Sequence, residues 1–213
     1  MENKKALEFF RAMSHDCKDV KQVKLANSSN NDQTSHDASF IMTYANKETE
    51  LLDLGSGTGL VINKIFDKVA HITVVEPFSE FTKYITNSKN ITIFNQTIMD
   101  FNSIDVFDLI TIFGTMHYFN EQEAVEIYTK YYPYLKERGK LIVKNQFGVN
   151  EDVVVDGYSE EQKNNYFAHY RHIEKERKIL EIVGYKSIEV VDIYPPECNR
   201  WDNTHFYAIV AEK

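Results

Sequence analysis

Short apolar runs recur along the 213-residue chain, and most are followed by a stretch whose apolar positions fall three or four apart. Leu51–Leu54, Ile72–Val75, Ile91–Phe94, Phe107–Phe113 and Lys140–Lys144 read as strands, the β-branched runs most clearly. Leu60–Phe66, Phe78–Ile85 and Glu121–Leu135 read as helices between them, the last having to tolerate or end near Pro133. Nearly continuous apolar strands alternating with helices predict a parallel sheet covered on both faces. After Asn145 the pattern changes. An irregular stretch to about Gln162 and a helix over Asn164–Val183 are expected, then strands at Ile188–Tyr194 and Thr204–Val210. A short loop joins those two, so they must be antiparallel. The predicted class is α/β: a doubly wound, mostly parallel seven-stranded sheet with helices on both faces and a C-terminal antiparallel β-hairpin.

Two short helices are predicted ahead of this core. Lys4–Met13 places Leu7, Phe10 and Phe9 on one face and is expected on the surface. His36–Ala45 follows, with Ser35 or Asp37 as its cap, and the polar Asn27–Ser35 stretch between them reads as a loop. The expected organisation is one domain over residues 1–213. Residues 1–46 hold the helices and loop, and 47–213 the core, with additions at about 146–163 and 195–203.

Charge and cysteine content narrow the function classes. A net charge of -8 argues against a general polyanion binder, because nucleic-acid affinity rests on Lys and Arg at phosphates. Cys17 and Cys198 form no Cys-x-x-Cys, so neither a disulfide framework nor a zinc site is indicated. With no signal-peptide core and no apolar segment of spanning length, a cytoplasmic protein that avoids membranes is expected.

The candidate chemistry centres on Asp53-Leu54-Gly55-Ser56-Gly57-Thr58-Gly59, where the first strand passes into a helix through three alternating glycines. Ligands of open α/β sheets bind at this edge. Dinucleotides and S-adenosylmethionine both use such a loop, followed by an acid at the end of the second strand. The spacing here is Gly-x-Gly-x-Gly, not the Gly-x-Gly-x-x-Gly that receives a pyrophosphate. Asp53 would repel a pyrophosphate and suit an ammonium and a sulfonium. The closing antiparallel pair is not required by a dinucleotide fold. These features favour S-adenosylmethionine over a nicotinamide cofactor.

From about Phe40 to Lys213 the chain resembles the class I (Rossmann-like) S-adenosylmethionine-dependent methyltransferases of small-molecule type, with Leu51–Leu60 close to their first motif. The resemblance implies a cofactor cleft of Asp53, Gly55, Ser56, Gly57 and Gly59. It gives Glu76 the ribose hydroxyls, places Pro77 and Phe78 beside adenine, and lends the ends of Phe113 and Gly114 to the methionine ammonium. The third motif departs from the family's Gly-Asp-Ala, leaving Thr97 and Ile98, or else Asp100, for the adenine amino group.

His117, just beyond the fourth strand, is the first candidate for a general base, with Tyr118 behind it. His169, Arg171 and His172 near a helix start, and Arg200 and Trp201 in the last loop, are candidates for substrate binding, and Asn27–Ser35 for a lid. No catalytic metal is expected. The fourth strand ends Phe113-Gly114-Thr115 without the Asn/Asp-Pro-Pro-aromatic signature of nucleic-acid amino-methylating enzymes. The expected reaction is transfer to a small molecule, first to an oxygen of a sugar, nucleotide-linked, phosphorylated or carboxylated metabolite. The alternatives are N-methylation of a small amine or amino sugar, and a non-catalytic sensor or partner subunit. A monomer or homodimer is expected.

Overall fold

The computed structural model describes residues 3–21, 33–159, 164–198 and 201–213. Most of the Asn27–Ser35 loop, and Arg200, lie outside the described residues. The strands are β1 (Glu50–Leu54), β2 (His71–Val75), β3 (Ile91–Phe94), β4 (Phe107–Phe113), β5 (Leu135–Gly148), β6 (Val153–Ser159), β7 (Asn164–Tyr170), β8 (Lys186–Val191) and β9 (Thr204–Glu212). The helices are α1 (Asn3–His15), α2 (Thr34–Met42), α3 (Ile62–Ile65), α4 (Ser79–Thr82), α5 (Glu121–Tyr131) and α6 (Ile173–Val183).

Seven strands form one sheet in the order β3-β2-β1-β4-β5-β9-β8, and β6 and β7 form a separate two-stranded sheet. β1 to β5 pair in parallel, while β9 runs antiparallel to both β5 and β8. The sheet and its closing pair are those expected from the apolar runs. Successive residues of each strand feed opposite cores. Leu52, Leu54, Ile110 and Val143 pack with α5 and α6 through Tyr128, Ile179 and Leu180. Leu51, Ile72, Val74 and Ile142 pack with Ile41 of α2 and Ile62 and Ile65 of α3.

Four expectations change. The helix expected from Asn164 is instead strand β7 up to Tyr170, paired with β6, and only Ile173–Val183 is helical. Tyr166 and Tyr170 share a face at a spacing of four in either geometry, and the β-branched Val153–Val155 run supplies the partner strand. β5 extends to Gly148 because its pairing with β9 continues from Lys140 to Gly148, bringing Asn145 and Gln146 into the sheet. α5 ends at Tyr131, one residue before a turn of Tyr132–Tyr134 that contains Pro133. α2 begins with Gln33 at its N-cap and no side-chain cap, and Asp37 lies inside the helix with its carboxylate occupied elsewhere.

α1 also does more than cover the surface. Its Phe9 and Phe10 rings meet Tyr166 and Tyr118 edge-on, at 5.8 and 5.1 Å between centroids, and Lys5 Nζ reaches Asp156 at 2.8 Å. The helix therefore lies against the β6–β7 hairpin above the ligand edge of the sheet.

Candidate active site

A cavity of about 700 Å³ opens where β1, β2, β4 and β5 end. The glycine loop forms one wall. Gly55, Gly57 and Gly59 all have positive φ, between 55° and 78°. A Cβ on Gly55 would stand 2.5 Å from the Thr115 hydroxyl oxygen, so the loop is open only to glycine there.

Glu76 follows β2 and is buried, 6% exposed. Its Oε2 accepts the Gly57 N–H at 3.0 Å and its Oε1 the Phe78 N–H at 3.2 Å. Each oxygen keeps a lone pair, the pattern needed to accept two hydroxyls. Burial pushes its carboxyl up to about 7, with Asp53 adding to the shift and the two N–H donors opposing it. Asp53 is also raised by burial, against hydrogen bonds from Ser56 and Thr111, whose hydroxyl donates to Asp53 Oδ1 at 2.5 Å. Two buried carboxylates in one cleft favour a cationic ligand. Pro77, Phe78, Thr97, Ile98 and Met99 complete an adjoining apolar wall. The Thr97 hydroxyl donates to Asp100 Oδ2 at 2.6 Å, and Asp100 itself is not among the lining residues.

The donor set fits S-adenosylmethionine. Glu76 would hold the ribose diol, the apolar wall the adenine, and Asp53 with the ends at Phe113 and Gly114 the cationic methionine portion. Gly114 has open space where a Cβ would stand.

The other half of the cavity is lined by α1, α2, the turn after β4, the end of β5, the hairpin and the loop before β9. His117 sits in the turn Met116–Tyr118, and its Nδ1 lies 3.2 Å from Asn145 Oδ1. Its ring packs on Tyr118 and Tyr170, at 4.1 and 5.4 Å. Burial pushes its pKa down to about 3, helped by the charges of Arg171 and Lys144 and opposed by Asn145. Burial also raises the Tyr118 hydroxyl, near Tyr170 and against a hydrogen bond with Tyr166.

Other candidates are placed differently. Arg171 is 2% exposed and points away from the cavity lining: Nε meets Glu176 Oε2 at 2.5 Å, and Nη1 and Nη2 donate to the carbonyls of Phe119 and Met116. His169 meets Asp152 Oδ2 at 3.2 Å and His172 Nε2 the Val149 carbonyl at 3.0 Å, neither of them in the cavity lining. His169 ends up in β7 and His172 at the N-cap of α6, and contacts with the hairpin, α6 and the turn after β4 hold all three off the cavity lining. Trp201 does line the cavity, half-exposed.

Several lining residues had no sequence signal. Lys144 Nζ reaches Asp37 Oδ2 at 3.1 Å and the Tyr194 hydroxyl at 2.9 Å, joining β5 to α2 and to the loop after β8. Burial alone would lower the Lys144 pKa, but Asp37 and Tyr194 hold it above its ordinary value. Asn145 near the end of β5 also faces the cavity, as do Tyr166 and Tyr170, which are placed there by a hairpin that periodicity hid. Among the described residues, no group of three or more His, Cys, Asp or Glu is arranged to hold a metal ion, and no helix is long and apolar enough to cross a membrane.

Sheet order, glycine loop and acidic cleft together are those of the class I methyltransferase fold. Residues 51–139 match the model of the methyltransferase domain family, and that match together with the cleft supports methyl transfer from S-adenosylmethionine. No curated protein sequence matches the chain. Among solved structures, an S-adenosylmethionine-dependent methyltransferase from Leishmania major aligns over 100% of this chain and 83% of its own, with TM-score 0.75 and 18% identity. Haemonchus contortus phosphoethanolamine N-methyltransferase 1, in complex with phosphoethanolamine and S-adenosylhomocysteine, aligns over 100% of this chain and 49% of its own, with TM-score 0.74 and 16% identity. Burkholderia thailandensis 1,6-didemethyltoxoflavin-N1-methyltransferase, with that substrate and S-adenosylhomocysteine bound, aligns over 96% and 85%, with TM-score 0.71 and 12% identity. At these identities the likeness is one of fold.

Proposed function

We propose that the protein methylates a nitrogen atom of a small molecule held between α1, the turn after β4 and the β6–β7 hairpin. The observation that carries this reading is the setting of His117. Its ring is buried against Tyr118 and Tyr170, its Nδ1 is tied to a neutral amide, and the charges nearest it are the cations Arg171 and Lys144. An imidazolium is disfavoured there, so the site is poorly built to take a proton from an alcohol, whose pKa is about that of water, ~15.7. Tyr118, raised by burial, does not replace it. A nitrogen acceptor brings its own lone pair and needs no base for the bond-forming step. This departs from the hydroxyl acceptor favoured by sequence, which took His117 as a base of ordinary pKa.

The cofactor, when bound, supplies an electrophilic methyl on a sulfonium. The chain's own part is to align and to exclude water. Glu76 fixes the ribose end, the glycine loop admits the ligand to the sheet edge, and the aromatic wall of Phe10, Tyr118, Tyr166 and Tyr170 keeps the acceptor side dry. The compact cavity and the lack of a lining Arg among the described residues favour a small acceptor over a polyanion. Two of the structural neighbours named above are N-methyltransferases of small molecules, which supports the reading by analogy of fold.

The test is incubation of a metabolite pool with methyl-labelled cofactor, followed by NMR of the labelled product. Label in an N–CH3 group is expected; label confined to O–CH3 would overturn the proposal and return the hydroxyl reading.

A further inference from the structure

Asn145 is 2% exposed and lines the cavity, yet its Nδ2 has no hydrogen-bond partner among the described residues. Leaving a buried donor unpaired costs about 1–3 kcal/mol, so a ligand able to accept from it is favoured. Its Oδ1 faces His117 Nδ1 at 3.2 Å. A carbonyl oxygen only accepts, so Nδ1 carries the proton and Nε2 keeps the lone pair. The two side chains thus present one acceptor, His117 Nε2, and one donor, Asn145 Nδ2. Turning the amide over exchanges the roles but leaves one of each. The rings on this side are Phe10, Tyr118, Tyr166 and Tyr170, while the polar lining around Lys144 pairs internally with Asp37 and Tyr194.

We infer that the acceptor is an aromatic or heteroaromatic amine whose reacting NH2 stands beside a hydrogen-bond acceptor, the N–H donating to His117 Nε2 and the neighbouring oxygen or ring nitrogen accepting from Asn145 Nδ2. This rests on the nitrogen reading above. An aliphatic amine would arrive as an ammonium with no lone pair, and the buried, cation-flanked His117 is badly placed to unload it; an aryl amine is neutral near pH 7. In the transfer, the nitrogen lone pair forms the N–CH3 bond as the CH3–S bond breaks and its electron pair returns to sulfur. The nitrogen then sheds its extra proton to solvent on release. His117 only orients the lone pair through the N–H it accepts. The planar ring fits between the aromatic walls, where face and edge contacts add to area burial.

The probes are 2-aminobenzamide, aniline, which lacks the neighbouring acceptor, benzylamine, which is protonated at pH 7, and salicylamide, which carries a hydroxyl in place of the amine. Their binding to the full chain with S-adenosylhomocysteine, and their methylation, are measured for the native protein, Asn145→Leu and Asn145→Ser. The expected result is binding and methylation of 2-aminobenzamide at least about tenfold better than of aniline, a preference that shrinks to near unity in both variants while S-adenosylhomocysteine affinity is kept. Equal use of aniline, preference for benzylamine, or no binding of 2-aminobenzamide at millimolar concentration would overturn the inference while leaving nitrogen transfer standing. Salicylamide methylated on its hydroxyl in place of any amine would bring down the nitrogen reading itself.

Discussion

Arg171 and Glu176 form an ion pair from which solvent is excluded on both sides, with side-chain exposures of 2% and 0% and Nε 2.5 Å from Oε2. The pair is a joint as much as a bond. Glu176 also takes the Tyr128 hydroxyl of α5, and Arg171 donates to the carbonyls of Met116 and Phe119, so α5, α6 and the His117 turn meet at one guanidinium. Removing one member leaves the other charged and unpaired in the core. Glu176→Gln is expected to cost about 3 kcal/mol or more. At roughly 2–4 °C per kcal/mol for a chain of this size, the fall in Tm measured by calorimetry should exceed about 6 °C.

Glu76→Ala should leave the fold intact and weaken cofactor binding. Two charge-assisted hydrogen bonds to the ribose would be lost, each worth about 1.5–3 kcal/mol. Titration calorimetry with S-adenosylhomocysteine should show a loss of about a hundredfold or more. A near-native affinity would remove Glu76 from the ribose site.

The same carboxyl sets a pH dependence. Its folded pKa of about 7 lies above its ordinary 4.5, so the unliganded fold holds this proton more tightly than the unfolded chain. The associated stability is present below pH 4.5 and is lost as pH rises through about 7, up to roughly 3 kcal/mol in all. A ligand that needs the carboxylate reverses the sign. S-adenosylhomocysteine affinity should drop about tenfold per pH unit below pH 7, and the thermal shift it produces should be larger at pH 8 than at pH 6.

Lys144→Met should destabilise through Asp37, whose carboxylate would keep the Tyr194 hydroxyl but lose its cation. A cost of about 3 kcal/mol is expected, with part of it returned by adding Asp37→Asn. Urea denaturation of the single and double variants measures the coupling. Additive losses would mean that the two side chains do not act as a pair.

The sheet was legible because its strands are β-branched runs, and the cleft because three glycines and two acids fall at fixed places on strand ends. What the sequence concealed follows from two physical causes. Tyr166 and Tyr170 lie four apart, a spacing that serves a helix face and a strand face equally, so the hairpin read as helix. Partners distant in the chain leave no local trace: Lys144 and Asp37 are 107 residues apart. Arg171 shows the reverse error. A cation near the ligand edge invites a substrate role, and only the fold reveals that Glu176 and two carbonyls already hold it.

The division of the cavity between chain segments bears on how such an enzyme acquires a new acceptor. The residues placed around the cofactor, from Asp53 to Gly114, all fall inside the matched 51–139 stretch. Apart from the His117 turn, the facing wall comes from α1, α2, the end of β5, the hairpin and the last loop, all outside that stretch. α1 is a shared panel: its Leu7 and Phe10 line the guest's berth and also pack against Phe78 and Phe81 behind the adenine wall. A change of side chain on the inner face of Asn3–His15 would therefore be felt by guest and donor together.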